Sequence, residues 1–124
     1  MTKPYGMIIV SHSQDVAKGI VDILQEVASD LSITYAGGSD VGGIGTNFEA
    51  IEKAIQANDS NDLLAFYDLG SAKMNLEMVK DLVDKEITIY DTPILEGAYA
   101  AAALLQVDVP RETVNKELEK IRMK

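Results

Sequence analysis

Gly6-Met7-Ile8-Ile9-Val10 is the most apolar short run of the chain, and Ser11 and His12, its only histidine, follow directly. A strand that is apolar at every position, rather than at alternate ones, is buried on both faces, as strands are inside a parallel sheet. Residues 5–11 are therefore read as the first such strand, with further strands over residues 31–36, 62–69 and 86–90.

The stretches between them carry helical spacing. Val16, Ile20, Ile23, Leu24 and Val27 form one apolar face, Phe48, Ile51 and Ile55 a second, and Leu76, Val79, Leu82 and Val83 a third. Thr92-Pro93 suits the N-cap and first turn of a fourth helix, whose packed face is Ala98, Ala101, Ala102 and Leu105. A fifth follows Pro110, with Val114, Leu118 and Ile121 inward. Thr46-Asn47-Phe48-Glu49 has the spacing of a capping box at the start of the second helix. Gly19, inside the first helix, costs roughly 1 kcal/mol relative to alanine.

Strand and helix alternate, and right-handed crossovers turn that alternation into an α/β fold. The expected architecture is an open, doubly wound, mainly parallel four-stranded sheet, order 2-1-3-4, with helices on both faces. Residues 1–124 are read as a single domain, with no repeat, linker or low-complexity tract.

Composition narrows the function. Twenty Asp and Glu against eleven Lys and Arg give a net charge of −9, which repels nucleic acid and anionic lipid. The absence of cysteine excludes disulfides and thiol catalysis, and a single histidine with no thiolates makes a tetrahedral zinc site improbable. No signal-peptide h-region precedes the first strand, and the stretch 97–105 is far short of the ~20 residues of a spanning helix, so a soluble cytoplasmic protein is expected.

In an open parallel sheet, ligands collect beyond the carboxyl ends of the strands, where successive connections leave in opposite directions. Three features fall on that edge: His12, the loop 37–46 with five glycines in ten residues, and Asp68-Leu69-Gly70-Ser71. The residues from Ser13 to Val16 open a helix, whose first amides would face a group carried on the imidazole. An imidazole is nucleophilic through its unprotonated nitrogen, so an acceptor must hold the proton on the other one; Asp68 is the candidate. The loop brings backbone close to an anion but is not GxxxxGK[ST], so P-loop nucleotide binding is unsupported. Each feature also has a plainer reading, as a capping or core histidine, an N-capping aspartate and an ordinary loop; their meeting on one edge favours a site. Asp40 and Asp68 could alternatively hold Mg²⁺, but no metal or other cofactor is expected.

Val10-Ser11-His12-Ser13, the loop from Ala36-Gly37-Gly38 to Gly45-Thr46, and Asp68-Leu69-Gly70-Ser71-Ala72 with Asn75, in that order and spacing, resemble the mannose-type enzyme IIA domains of the bacterial sugar phosphotransferase system. Among these the chain is similar to the phosphoryl-carrying subunits of phosphotransferase-dependent dihydroxyacetone kinases. The resemblance runs over nearly the whole length. It implies that His12 is phosphorylated on Nε2 with Nδ1–H facing Asp68, and that Ser13, Gly38, Thr46 and Ser71 are phosphate-binding or supporting positions. Sugar-transporting relatives have a second glycine and then Ser-Pro where this chain has Gly70-Ser71-Ala72-Lys73, which favours the dihydroxyacetone branch.

The implied donor is a separate carrier protein, HPr, because the chain ends at Lys124 with no fused carrier domain. The implied acceptor is ADP on the kinase subunit DhaL, with DhaK, which holds dihydroxyacetone, involved indirectly; a homodimer is implied as well. The acidic surface suggests electrostatically matched partners and transfer that weakens with salt. The alternative is an enzyme IIA component of a mannose-type sugar transporter. A histidine phosphatase would need an arginine beside the nucleophile and a second histidine, and position 11 is serine. A receiver domain would need clustered acids after the first strand, and a chelatase further ligands.

Overall fold

The computed structural model describes residues 3–123. Strands β1 (Tyr5–Ser11), β2 (Ile33–Gly37), β3 (Asp62–Tyr67) and β4 (Glu86–Tyr90) alternate with helices α1 (Gln14–Val27), α2 (Phe48–Ala57), α3 (Gly70–Lys80) and α4 (Ile94–Gln106), and α5 (Arg111–Glu119) follows. All strand pairs are parallel, in the order β2-β1-β3-β4.

Central strand β1 shows why its sequence is apolar throughout. Met7 and Ile9 join one core with α1, α4 and α5, while Ile8 and Val10 join another with α2 and α3. All four are fully buried. Because α1 and α2 lie on opposite faces, the connection reverses between β1 and β3, and the topological switch point lies beyond the ends of those two strands.

Several boundaries differ from the sequence reading. β3 ends at Tyr67, not at Leu69, because the Asp68 carboxylate accepts from the amides of His12 and Leu69 and turns the chain out of the ladder. β2 starts two residues later than expected and runs on to Gly37. The buried face of α1 is Ala17, Ile20, Val21 and Leu24, leaving Val16 and Ile23 about half exposed. α3 stops at Lys80, so Leu82 lies beyond the helix and is exposed.

Two caps also differ. Asn47, not Thr46, caps α2: its Oδ1 accepts from the amides of Glu49 and Ala50, at 2.9 and 3.3 Å. Thr92 does not cap α4, which starts at Ile94 behind Pro93. The Thr92 side chain is instead buried against Gly97, its hydroxyl without a hydrogen-bond partner.

Gly19 lies mid-helix, and a Cβ added there would meet nothing within 4 Å. Gly19→Ala is therefore expected to stabilise the fold by about 0.5–1 kcal/mol, a rise of roughly 2–5 °C in Tm. Thermal melts monitored by circular dichroism check this; an unchanged or lower Tm would contradict it.

Candidate functional site

Ser11 is the polar end of an otherwise apolar strand, and it is fully buried. A hydroxyl in that position must find partners. Its Oγ donates to Asp68 Oδ2 at 2.8 Å and accepts from the Ser13 amide at 3.1 Å. The sequence reading gives Ser11 no role of its own in the site. Its signal was its position: a hydroxyl directly after a fully buried run.

Asp68 leaves the end of β3 beside the end of β1 and is filled with donors. Oδ2 accepts from Ser11 Oγ and from the His12 amide at 2.9 Å, while Oδ1 accepts from the Leu69 amide at 2.7 Å and faces His12 Nδ1 at 2.9 Å. Burial alone would raise the carboxyl's pKa. The hydrogen bonds from the His12 amide, the His12 ring and Ser11 outweigh burial and hold it below the usual aspartate value. With four donors in place, both oxygens are committed and offer no ready ligand to a cation. Asp40 lies in the exposed part of the glycine loop. Among the described residues, no group of three or more His, Cys, Asp or Glu could hold a metal ion.

A carboxylate on Nδ1 keeps the proton there and leaves the lone pair on Nε2. Nε2 faces Ser71 Oγ at 2.5 Å, and the His12 side chain is 17% exposed. Ser71 sits in the first turn of α3, a helix with no side-chain cap and no acidic residue in that turn. Ser71 thus brings the Nε2 side of the ring to the start of α3, where the Ala72 and Lys73 amides donate to the Leu69 carbonyl and the Gly70 and Ser71 amides have no intrahelical acceptor. The sequence reading looked to the amides at the start of α1 instead. There, Ser13 caps the helix, its hydroxyl accepting from the Val16 amide at 3.3 Å.

The structure thus joins His12, Asp68 and Ser71 directly, whereas Ser13, Gly38 and Thr46 lie in the framework around them. Gly38 is buried with φ 87°, a conformation that favours glycine, and packs toward Gln14 at the start of α1. The loop amide that reaches His12 is that of Gly45, which donates to the His12 carbonyl at 2.8 Å. Thr46 Oγ1 accepts from Asn75 Nδ2 at 2.6 Å, tying the loop to α3.

Among the described residues no helix is long and apolar enough to cross a membrane. Residues 6–115 match the model of the EIIA-man family, described as the PTS system fructose IIA component. The chain is 52% identical to the PEP-dependent dihydroxyacetone kinase 1 phosphoryl donor subunit DhaM of Listeria innocua serovar 6a, over all of both chains. It is 46% identical to the PTS-dependent dihydroxyacetone kinase phosphotransferase subunit DhaM of Lactococcus lactis subsp. lactis, covering 94% of this chain and 95% of that one. A crystal structure of a protein of unknown function superposes with a TM-score of 0.83 at 27% identity, covering 100% of this chain and 98% of the other. Likeness in sequence and in fold thus extends over essentially the whole chain, and the chain belongs to the EIIA-man family of phosphotransferase-system IIA components, among its DhaM subunits.

Proposed function

We propose that this chain is a single carrier domain, residues 1–124, that takes a phosphoryl group from HPr onto Nε2 of His12 and passes it to ADP bound on DhaL. It would thereby supply phosphoenolpyruvate-dependent phosphorylation of dihydroxyacetone on DhaK. The observation that carries this reading is the polarised imidazole: Asp68 Oδ1 lies 2.9 Å from Nδ1, and Nε2 points to the uncapped start of α3.

In the proposed step, the Nε2 lone pair attacks phosphorus in line as the P–N bond of the donor's phosphohistidine breaks. The bonding pair returns to the donor's imidazole nitrogen. The ring keeps its Nδ1 proton and becomes cationic beside the Asp68 carboxylate, which stabilises it. The Ser71 hydroxyl, which donates to Nε2 at rest, turns to donate to a phosphoryl oxygen. Ser13, Gly38 and Thr46 hold the surrounding backbone in place, and no cofactor enters the step. Transfer to ADP reverses the attack, with the adenosine diphosphate oxygen as nucleophile.

Partner docking is supported by the surroundings of the histidine. Val41 and Ile44 in the glycine loop, Leu69 beside Asp68 and Met74 on α3 are 89%, 78%, 59% and 66% exposed, an apolar rim suited to contact with other proteins. A homodimer in the cytoplasm is part of the same proposal.

The test is intact-protein mass after incubation with phosphoenolpyruvate, enzyme I and HPr, for wild type and His12→Ala. One acid-labile phosphoryl group on wild type alone is expected, followed by its loss, with ATP formed, when DhaL carrying ADP is added. No added phosphoryl group with competent HPr would overturn the carrier reading. Phosphorylation without discharge to DhaL would overturn the acceptor.

A further inference from the structure

Beyond the three residues at the imidazole, one more carboxylate reaches the segment that carries two of them. Phe66 pairs with Tyr90 at the end of the β3–β4 ladder, so Tyr67 and Asp91 are the next residues out on these neighbouring strands. Tyr67 is buried, and its phenol donates to Asp91 Oδ1. The same oxygen takes the ammonium of Lys73 at 2.8 Å. Tyr67 immediately precedes Asp68, and Lys73 lies two residues past Ser71. A single carboxylate oxygen therefore ties both ends of the seven-residue segment 67–73, the turn that presents Asp68 and Ser71 to His12.

The other restraints at the head of α3 run elsewhere: Ala72 packs into the core, the Leu69 amide donates to Asp68 and Asn75 ties to Thr46. The helix has no side-chain cap, and Leu69 and Ser71 are exposed. Its first turn is held by backbone bonds from the Ala72 and Lys73 amides to the Leu69 carbonyl, the second of them at 3.4 Å. The Lys73 ammonium also lies 5.9 Å from the centre of the Tyr67 ring, which closes the cluster. Lys73 and Asp91 are 33% and 22% exposed, so the pair is partly shielded from water.

We propose that Asp91 is a positioning residue for phosphoryl transfer: by clamping Tyr67 and Lys73 it holds the β3–α3 turn so that Ser71 Oγ stays on His12 Nε2. The inference rests on the carrier reading for its kinetic consequence, but its structural part stands on the unphosphorylated protein. The charges support it. Lys73, and after it Tyr67, hold the Asp91 carboxyl below its ordinary value, while burial and then the Asp91 hydrogen bond push the Tyr67 phenol up to about 12. Asp91 and Tyr67 therefore each keep one protonation state across the neutral range. It is a fixed strut, not a pH switch.

The test uses Asp91→Ala, Lys73→Met, Tyr67→Phe and Lys73→Arg, each confirmed folded by circular dichroism. Ring ¹⁵N NMR of His12 in the unphosphorylated protein reports the Nε2 environment directly. Asp91→Ala and Lys73→Met are expected to shift and broaden the Nε2 signal, and Lys73→Arg to restore it. With phosphorylated HPr as donor, the rate of His12 phosphorylation at saturation is expected to fall about tenfold, with the half-saturating HPr concentration little changed. Should Asp91→Ala not fold, Lys73→Met and Tyr67→Phe, which each release one end, carry the test. A wild-type Nε2 signal in folded variants of both ends overturns the clamp. Failure of wild type to be phosphorylated overturns the carrier reading and leaves the NMR outcome to decide the clamp.

Discussion

Asp68→Asn is expected to slow phosphorylation of His12 by about three orders of magnitude, the scale on which a misdirected imidazole tautomer disables a nucleophilic site. Both carboxylate oxygens accept from two donors each, so an amide nitrogen cannot replace either without loss. Placed at the Oδ1 position, it faces the Leu69 amide as donor against donor and drives His12 to carry its proton on Nε2, the attacking nitrogen of the proposed transfer. Placed at the Oδ2 position, it faces the His12 amide in the same way. The second placement leaves the part-buried His12 amide unpaired, a cost of about 1–3 kcal/mol in stability, whereas the exposed Leu69 amide of the first can turn to water. Rapid-quench kinetics with phosphorylated HPr measure the first effect and urea melts the second. A wild-type rate in a folded variant would remove Asp68 from the mechanism.

The same residue sets part of the acid limb. Because its folded pKa lies below the unfolded one, ionised Asp68 contributes stability in full above the unfolded value of about 3.9. That contribution is lost as pH falls through the folded value. Asp68→Asn removes the titration, so its stability is expected to fall less than that of wild type between pH 5 and pH 2, roughly the range such a group spans.

Gly97→Ala is expected to destabilise the protein by on the order of 3 kcal/mol, lowering Tm by about 10 °C. A Cβ at position 97 would overlap Thr92 Oγ1, lie 2.6 Å from Thr92 Cβ and approach Phe66 Cε1 to 3.3 Å. Thr92 cannot easily yield, being 2% exposed and fixed between the end of β4 and the start of α4. Thr92→Gly in the same chain should recover part of the loss, because it removes both overlapping atoms. Additive effects of the two substitutions in thermal melts would show that the contact is not the cause.

The parallel sheet was legible because runs such as Met7-Ile8-Ile9-Val10, too short for a helix and apolar at every position, alternate with stretches of helical spacing and suit strands buried on both faces. The packed face of α4 was equally plain: Ala98, Ala101, Ala102 and Leu105 are all buried. Where two readings satisfied the same local pattern, contacts from distant parts of the chain chose between them. Thr46 and Asn47 can both cap a helix, and Asn75 took the Thr46 hydroxyl, leaving Asn47 at the cap. Val16 and Ile23 fit helical spacing, yet the face turned toward α4 and the sheet is Ala17, Val21 and Leu24.

From the sequence by itself came the fold class, the strand order and the meeting of His12 with Asp68 at one sheet edge, since the period of apolar residues and the hand of crossover connections leave few topologies. Only the tertiary structure decided that Ser11 fills the second carboxylate oxygen, that Nε2 meets Ser71 in the first turn of α3, and that Asp91 reaches Tyr67 and Lys73. Those are hydrogen bonds between residues far apart in the chain. Their partners are set by ångström-scale placement of strand ends, which no local pattern encodes.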